Sequence, residues 1–379
     1  MSRYRVEKKT FIVILFIMRP SRVEINLKNL ENNIKNAKNK LAKKKLLAVV
    51  KADAYGHGAI AVASRAAAMG IDYLGVGIVE EGIELRNAGI KADILILAQE
   101  LKERTEEIVL FNLIPTVCSR GFLESLEREG KRQNKKVTIF VMIDTGMGRY
   151  GVSSDEFIYF VKLLKNMNFV ELKGVMSHFP AADSDKEFTK KQIKDFNKLT
   201  KVAISLGIKI SIKSMANSAA FLLHEDSIFN MVRLGLLLYG ISPVEGLKTP
   251  GYKPVMTVKS KISFIKTIPP GHSVSYCRTF TAKKPTTIAA VPLGYADGYD
   301  RALSNKGWMI VNGEKAPVIG NVTMDTTMID ISHIQDAKIG DEVIVMDTLI
   351  TAWDIATTIG TIPYEIISRM GKRLPRLYV

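Results

Sequence analysis

The chain has 379 residues, of which 47% are hydrophobic and 24% are charged, and its formal net charge is +16. This length exceeds the usual size of one hydrophobic core, so we expect two domains, and the composition excludes a largely disordered chain. The positive charge raises nucleic-acid binding as an alternative, but the lysine runs at 43–45 and 190–194 lack interleaved aromatic residues, which favours a solvated surface without a nucleic-acid partner.

The N-terminal region resembles a targeting segment only superficially. Basic residues precede an apolar run at 11–18, but these eight residues are too few to span a bilayer, and no small-residue cleavage site follows. Residues 1–17 are therefore predicted to be an extension outside the fold, and no membrane contact is expected. The two cysteines, Cys118 and Cys277, form no metal-ligand cluster, which indicates a reduced cytoplasmic protein without a metal site.

Between Val23 and Gly240, short apolar runs alternate with helix-length segments, a pattern typical of successive βα units. The predicted strands are 23–26, 46–51, 73–76, 93–97, 115–117, 137–143, 172–177, 209–214 and 231–236. About eight such units close a barrel, so the sequence predicts an α/β fold with a (β/α)8 barrel domain over residues 18–245.

After Pro243 the pattern changes to closely spaced β-branched runs separated by turn residues. The runs are 256–268, 286–292, 309–311, 316–318 and 342–346, and a helical stretch follows near 351–359. This pattern predicts a second, mostly antiparallel β domain over residues 246–379.

The first segment that carries chemistry is Val-Val-Lys-Ala-Asp-Ala-Tyr-Gly-His-Gly at 49–58, in which Lys51 ends an apolar strand. In a barrel this position lies at the catalytic rim. Burial lowers the pKa of a lysine and makes its neutral amine available for Schiff-base chemistry. Taken alone, Lys51 is better interpreted as a lysine that merely leaves the barrel mouth.

Further motifs follow Lys51 in a fixed order through both predicted domains. They are Asp-Thr-Gly-Met-Gly-Arg at 144–149, Ser-His-Phe at 177–179, Ala-Asn-Ser-Ala at 216–219, Val-Arg-Leu-Gly at 232–235, Val-Ser-Tyr at 274–276, Gly-Tyr-Ala-Asp-Gly at 294–298, Met-Asp at 324–325 and Thr-Ile-Pro-Tyr-Glu at 361–365. With this set the chain resembles the alanine racemase family, which uses pyridoxal 5'-phosphate (PLP) on fold type III. The resemblance covers nearly everything from Met18 onward.

The resemblance implies a PLP site in the barrel. It makes Lys51 the residue that binds PLP as a Schiff base and one of two acid–base groups. Arg233 matches the arginine that faces the pyridine nitrogen, with His178 holding it and Asn217 in a supporting role. The residues that resemble the phosphate-binding set are Tyr55, Ser218, Gly235, Leu236 and Tyr364. Taken singly, these residues also have local interpretations, such as Ser218 as a helix cap.

Racemisation removes a proton from one face of the substrate Cα and returns it to the other, which two opposed groups accomplish. The resemblance makes Tyr276 the second group and implies that it comes from a partner subunit, so an obligate homodimer with shared active sites is expected. Lysine and tyrosine start from pKa values of about 10.4 and about 10, so cations in the site must lower both.

The remaining matches concern the substrate. Arg149 resembles the arginine that contacts the PLP phenolic oxygen and the substrate carboxylate, and Met324 resembles the residue whose backbone N–H binds that carboxylate. Tyr295, Arg301 and Asp325 resemble parts of the substrate access corridor. The implied reaction interconverts L- and D-alanine and supplies D-alanine for peptidoglycan.

One position departs from the family. Many members carry a carbamylated lysine two residues before the aspartate, where this chain has Met142 before Asp144. Methionine forms no carbamate, so Met142 is interpreted as a core filler. Arg149 is expected to be buried and to need another partner, such as a bound anion.

Other functions stay open at this stage. The pocket size that separates alanine from serine, lysine or several amino acids is poorly encoded in a sequence. A PLP-carrying protein without turnover and an amino-acid decarboxylase of related fold are further alternatives. The complete motif set disfavours the decarboxylase, and the carrier proteins lack the β domain that contains Tyr276.

Overall fold

The computed structural model describes residues 19–379, and the predicted extension at 1–17 lies outside the described residues. The chain divides into two compact units, one formed by Asn29–Lys253 and one by Pro254–Val379 together with residues up to Lys28. Among the described residues, no helix is both long and apolar enough to cross a membrane.

The first unit contains a closed barrel of eight parallel strands, so the predicted barrel is confirmed. The strands are β2 (Lys45–Val49), β3 (Tyr73–Val76), β4 (Asp93–Ile96), β5 (Ile114–Val117), β6 (Val137–Met142), β7 (Val170–Met176), β8 (Ile212–Ser214) and β9 (Met231–Leu234). The barrel closes where β9 pairs with β2, with Leu46 opposite Val232. Most strand residues are buried, as expected for strands covered on both faces.

Helices follow the strands and bury an apolar stripe against them. They are α1 (Leu27–Leu41), α2 (Lys51–Gly56), α3 (Ala59–Ala68), α4 (Val79–Asn87), α5 (Thr105–Leu110), α6 (Arg120–Gln133), α7 (Ser154–Leu164), α8 (Lys186–Ser205) and α9 (Ser218–Leu223). Helix α8 shows the principle, because Ile193, Phe196 and Ala203 recur at helical spacing and are buried. The carboxyl ends of all eight strands meet at one rim, where the predicted Lys51 and Asp144 follow β2 and β6.

The second unit contains the expected antiparallel sheets. Its strands are β1 (Arg22–Ile25), β10 (Met256–Lys261), β11 (Phe264–Ile268), β12 (Ser273–Val274), β13 (Phe280–Thr281), β14 (Thr286–Val291), β15 (Trp308–Val311), β16 (Glu314–Pro317), β17 (Thr327–Asp330), β18 (Glu342–Met346) and β19 (Arg376–Tyr378). Six of them form one sheet in the order β16-β15-β18-β10-β1-β19, and β11-β14-β17 form another. The helices are α10 (Ala352–Ile359), which the sequence predicted, and α11 (Pro363–Ser368), which it did not.

The first strand is not part of the barrel, which differs from the domain start predicted at residue 18. Strand β1 pairs antiparallel with β10 and parallel with β19 in the second unit. The reason is visible in its alternation, since Val23 and Ile25 are buried while Arg22 and Glu24 face outward. The outward residues form ion pairs with Glu342 and Lys259 of the neighbouring strands.

Candidate functional site

Lys51 lies directly after β2 and is half-buried at the barrel rim. Burial lowers the pKa of its amine from the ordinary value, and the positive charge of Arg149 lowers it further, whereas the carboxylate of Glu81 raises it. The net effect favours the neutral amine, which is the nucleophilic form that Schiff-base chemistry needs.

The backbone after Lys51 takes an unusual course. Residues Ala52, Asp53, Ala54 and Tyr55 all have φ between 52° and 54°, so four consecutive non-glycine residues form a left-handed turn. Such residues cost roughly 1–2 kcal/mol each in this conformation, which makes roughly 4–8 kcal/mol for the turn. Side-chain hydrogen bonds compensate, because Asp53 accepts from the Ala59 N–H at 2.7 Å and the His57 Nδ1 lies 2.9 Å from the Ala54 carbonyl oxygen.

Arg233 is the buried cation of the rim, with only 5% of its surface exposed. Its guanidinium donates to the hydroxyl of Ser214 at 2.7 Å and to the carbonyl of Ser177 at 2.6 Å. Further acceptors are the carbonyls of Ser214 and Met215 and the imidazole of His178. None of these groups is a carboxylate, so the charge is stabilised by dipoles alone. Burial lowers the pKa of Arg233 to about 10, and the residue therefore remains charged at neutral pH.

His178 takes a defined tautomer because of this arginine. Arg233 Nη2 lies 3.1 Å from His178 Nδ1, and since arginine only donates, Nδ1 must be unprotonated. Burial, followed by the positive charges of Arg233, Arg149 and Lys51, lowers the pKa of His178 to about 3. The ring is therefore neutral at physiological pH and carries its proton on Nε2.

Three of the residues expected to hold a phosphate, Tyr55, Ser218 and Gly235, meet between β8 and the turn after β9. The hydroxyl of Ser218 accepts from the Gly235 N–H at 3.1 Å. A Cβ at Gly235 would lie 2.7 Å from the Tyr55 hydroxyl, so glycine is required for this close approach. Asn217 caps α9 by accepting from the Ala220 N–H, which is the capping role that the local interpretation gave to Ser218.

The Asp144–Arg149 loop is ordered from within. The Asp144 carboxylate accepts from the N–H groups of Gly146, Met147 and Gly148. Arg149 itself is exposed, and in the described part of the chain its recorded contact is with the ring of Tyr150, 5.9 Å from the centroid. The expectation of a buried Arg149 is wrong for the single chain, because this loop projects the guanidinium into solvent. The cost of an unpaired buried cation therefore does not apply.

Met142 ends β6 and is 6% exposed, so its interpretation as a core filler agrees with its burial. It pairs with Met176 on β7. Both residues are methionines, so neither of them can form the carbamate that a lysine forms at this position in other family members.

Tyr276, the predicted second acid–base residue, lies in the second unit and is 72% exposed. Its backbone is nevertheless fixed, since the Asn321 amide donates to the Tyr276 carbonyl at 3.0 Å and Ser275 donates to the Asn321 carbonyl at 2.6 Å. Ser275 and Cys277 on either side have φ of 64° and 61°. A groove of about 440 Å³ lies beside Tyr276, with apolar walls that include Val274 and Met328.

The predicted substrate-binding and corridor residues of the second unit surround another turn. Met324 is 52% exposed, and within residues 19–379 its N–H donates no hydrogen bond. Its carbonyl accepts from Ala296, next to the half-exposed Tyr295. Asp325 pairs with Arg373 at 2.7 Å. Arg301 is exposed, and Tyr364 lies partly buried on α11.

Sequence reasoning missed several supporting residues. Glu81, on α4, accepts from the Ala52 N–H, and Gln192, on α8, donates to Thr145 and to the His178 carbonyl. Arg373 contacts both Asp325 and the buried Asp297. Of these, only Glu81 had a signal, because it is an acidic residue in the first turn of a helix that directly follows a strand.

Comparison with known proteins identifies the family. The family "Alanine racemase, N-terminal domain" matches residues 25–243, and "Alanine racemase, C-terminal domain" matches residues 255–378. An alanine racemase of Halothermothrix orenii is 40% identical over 369 residues, which cover 96% of this chain and 97% of that protein. The chain belongs to the alanine racemase family.

Solved alanine racemases share the whole fold. That of Clostridium difficile 630 has a TM-score of 0.91 at 37% identity, covering 95% of this chain and 96% of that one. That of Bartonella henselae, described with covalently bound pyridoxal phosphate, has a TM-score of 0.88 at 28% identity and covers 95% and 99% of the two chains. The predicted family, fold and PLP dependence are confirmed. The match to the C-terminal domain also separates this alanine racemase from carrier proteins that lack a β domain.

The geometry fits PLP at the barrel rim. The Arg233 Nε–H has no acceptor within the described residues, so it is available to a ring nitrogen of a ligand. The close approach of Gly235 to the Tyr55 hydroxyl forms a cradle that a side chain would fill. A nucleophilic lysine, a free cationic donor and a hydroxyl-lined cradle are the three features that an aldehyde, a pyridine ring and a phosphate require.

Proposed function

We propose that Lys51 and Tyr276 are the two acid–base groups with which this alanine racemase interconverts L- and D-alanine, and that PLP is held at the barrel rim. The observation that carries the proposal is the half-buried Lys51, whose amine has a lowered pKa and which follows β2, the neighbour of the strand β9 that carries the buried cation Arg233. Bound PLP withdraws electrons from the amino acid and so acidifies its α-proton. The residues of the chain then hold the substrate and move that proton.

Lys51 is proposed to anchor the cofactor through Nζ and to exchange the α-proton on one face. Its lowered pKa favours the neutral amine, which is the form that accepts a proton. Tyr276 is proposed to act on the opposite face through its hydroxyl. We expect the Tyr276 of a second copy to serve each site, and the 72% exposure of this residue leaves its ring uncovered in the single chain. An obligate homodimer follows.

The other roles concern binding. Arg233 is proposed to donate to the ring nitrogen and keep it unprotonated, with His178 and Asn217 as supporting residues. The proposed phosphate-binding groups are Tyr55, Ser218, Gly235, Leu236 and Tyr364. Arg149 and the Met324 N–H are proposed to bind the substrate carboxylate, and Tyr295, Arg301 and Asp325 to line the access corridor.

The proposal extends to the surroundings of the site. An anion near Arg149 takes the place of the carbamate of other family members, and the exposed, unpaired guanidinium supports its binding. The barrel unit, Asn29–Lys253, is proposed as the PLP-binding domain, and the unit that contains Pro254–Val379 as the domain that provides Tyr276. The enzyme acts in the cytoplasm and supplies D-alanine for peptidoglycan.

A direct experiment tests the function. The purified protein is expected to be yellow and to racemise L-alanine without another cofactor, measured by the decay of optical rotation. L-Serine and L-lysine serve as comparison substrates, and a higher kcat/KM for either would move the assignment to a different racemase. A colourless protein that stays inactive after addition of PLP would contradict the proposal.

A further inference from the structure

The left-handed turn at Ala52–Tyr55 fixes the direction in which the chain leaves Lys51. Because four successive non-glycine residues adopt this conformation, the turn does not form without external contacts. Asp53 and His57 supply contacts at its far end, towards Ala59 and Ala54. The near end, adjacent to Lys51, needs a contact of its own.

Glu81 supplies that contact. Its Oε1 accepts from the Ala52 N–H at 2.6 Å, and its Oε2 accepts from the Gly77 N–H at 2.7 Å. Ala52 follows the lysine at the end of β2, and Gly77 follows β3, so one carboxylate joins the ends of two neighbouring barrel strands. A Cβ at Gly77 would lie 3.5 Å from the Cβ of Lys51, which places the second anchor beside the lysine stem.

We propose that Glu81 is a positioning residue for Lys51, because its carboxylate fixes the turn that follows the lysine and keeps a negative charge beside the amine. This inference rests on the proposed role of Lys51 as the PLP-binding lysine. Both carboxylate oxygens are engaged by backbone donors, so Glu81 acts through the turn and has no need to touch substrate or cofactor.

The charges around Lys51 give Glu81 a measurable signature. Burial and Arg149, from the loop after β6, lower the pKa of Lys51, and Glu81 from α4 opposes them. His178, after β7, is neutral because its pKa is about 3, Arg233 on β9 is a further cation of the rim, and Asp53 is engaged with the Ala59 N–H. Removal of the Glu81 charge therefore leaves the two lowering effects unopposed, and the pKa of Lys51 falls further.

The rate at which the full-length protein, freed of cofactor, takes up PLP measures this pKa, because only the neutral amine reacts. The rate is followed by visible absorbance across pH, with Lys51→Ala as the background. For Glu81→Gln we expect the midpoint of the pH profile to fall by about one unit. For Glu81→Ala, which loses both acceptors, we expect the same fall and also a roughly tenfold slower uptake above the midpoint.

Glu80→Gln is the matched control. Glu80 lies on the same helix, is exposed and pairs with Arg104, so its loss removes an equal charge without touching the turn. We expect its midpoint and rate to equal those of the wild type.

The outcomes separate this inference from the proposed function. If the wild type takes up no more PLP than Lys51→Ala, the role of Lys51 fails and the inference fails with it. If the wild type behaves as expected and both Glu81 variants match Glu80→Gln, only the inference is overturned. A lower melting temperature with an unchanged midpoint would also overturn it, since Glu81 would then serve stability alone.

Discussion

The barrel rim and the Tyr276 region of the second unit differ in how completely one chain builds them. At the rim, Arg233 is 5% exposed, and the chain itself provides three backbone carbonyls and one hydroxyl that accept hydrogen bonds from its guanidinium. In the second unit, Tyr276 and Met324 are 72% and 52% exposed, although the backbone of each turn is fixed. One chain therefore satisfies the polar groups of the rim, whereas the Tyr276 region is an ordered but exposed surface.

Under the proposed function, this difference separates two tasks. The proposed cofactor-binding groups of the rim are buried and hydrogen-bonded within one chain, so we expect cofactor binding to tolerate changes in the second unit. The proposed proton exchange at the second face uses an exposed tyrosine, so we expect it to depend on the subunit that covers this residue. Substitutions in the two regions are expected to give different combinations of colour and activity.

The largest effect is expected for Lys51→Ala. The substitution removes both the cofactor anchor and one acid–base group, so we expect loss of the visible absorbance and a decrease in kcat of more than about a thousandfold. Absorbance spectra and racemisation of L-alanine measure the two losses. Full activity in this variant would remove Lys51 from its role, and Lys45→Ala, on the exposed start of β2, serves as a control.

Tyr276→Phe is expected to separate colour from activity. We expect the variant to keep the yellow cofactor, because Tyr276 is not one of the proposed cofactor-binding residues, while kcat falls by about a hundredfold or more with the loss of one acid–base group. Solvent deuterium is expected to enter more slowly from L-alanine than from D-alanine. Equal incorporation from both enantiomers at the wild-type rate would show that a single group serves both faces.

The substitution Arg233→Lys tests how much the hydrogen bonds of the buried guanidinium contribute to the stability of the protein. Lysine keeps the charge but cannot reach all the acceptors of the guanidinium, and each lost charged hydrogen bond costs about 1.5–3 kcal/mol. We expect the free energy of unfolding, from urea denaturation of the protein without cofactor, to fall by about 2–4 kcal/mol. Arg301→Lys, at an exposed position of the second unit, is expected to change it by less than about 0.5 kcal/mol. Equal decreases in the free energy of unfolding for the two substitutions would contradict the difference between the buried rim and the exposed second unit.

The smallest effect is expected from removing bicarbonate. Since Met142 cannot form a carbamate, activity in carbon-dioxide-free buffer should equal activity in bicarbonate, whereas removal of chloride is expected to weaken substrate binding through Arg149. Turnover assays in the four buffers, with a non-coordinating counter-anion, measure both effects. Activity restored specifically by bicarbonate would show that another lysine carries the modification.

The sequence predicted the barrel well because apolar strand segments and helix-length segments alternate regularly along the chain. All eight barrel strands were predicted within a few residues, since buried parallel strands read as continuous apolar runs. The first strand was placed in the wrong unit because pairing partners more than 200 residues away leave no local trace, although its alternation of Arg22, Val23, Glu24 and Ile25 is typical of a half-exposed strand. The apolar run at 256–268 proved to be two strands, β10 and β11, which pair with different sheets.

The sequence provided candidate residues for the site but not their conformation. Motif matches provided Lys51 and Arg233, but the left-handed turn at Ala52–Tyr55 has no glycine inside it, so neither propensity nor spacing indicates it. The sequence also did not indicate which side chains are exposed, since Arg149 was expected to be buried and is exposed. The acceptors around Arg233 come from the ends of two neighbouring strands, β7 and β8, and only the closed barrel brings them to Arg233 on β9.

The position of β1 between β10 and β19 has a consequence for biosynthesis. A ribosome releases β1 before the barrel strands and releases β10 and β19 after them, so the largest sheet stays incomplete while the whole barrel is synthesised. During this interval we expect the barrel to fold while the segment Arg22–Ile25 still lacks its pairing strands β10 and β19. A fragment that starts at Pro254 lacks this central strand and exposes two open edges, β10 and β19, so we expect such a fragment to aggregate when it is produced alone.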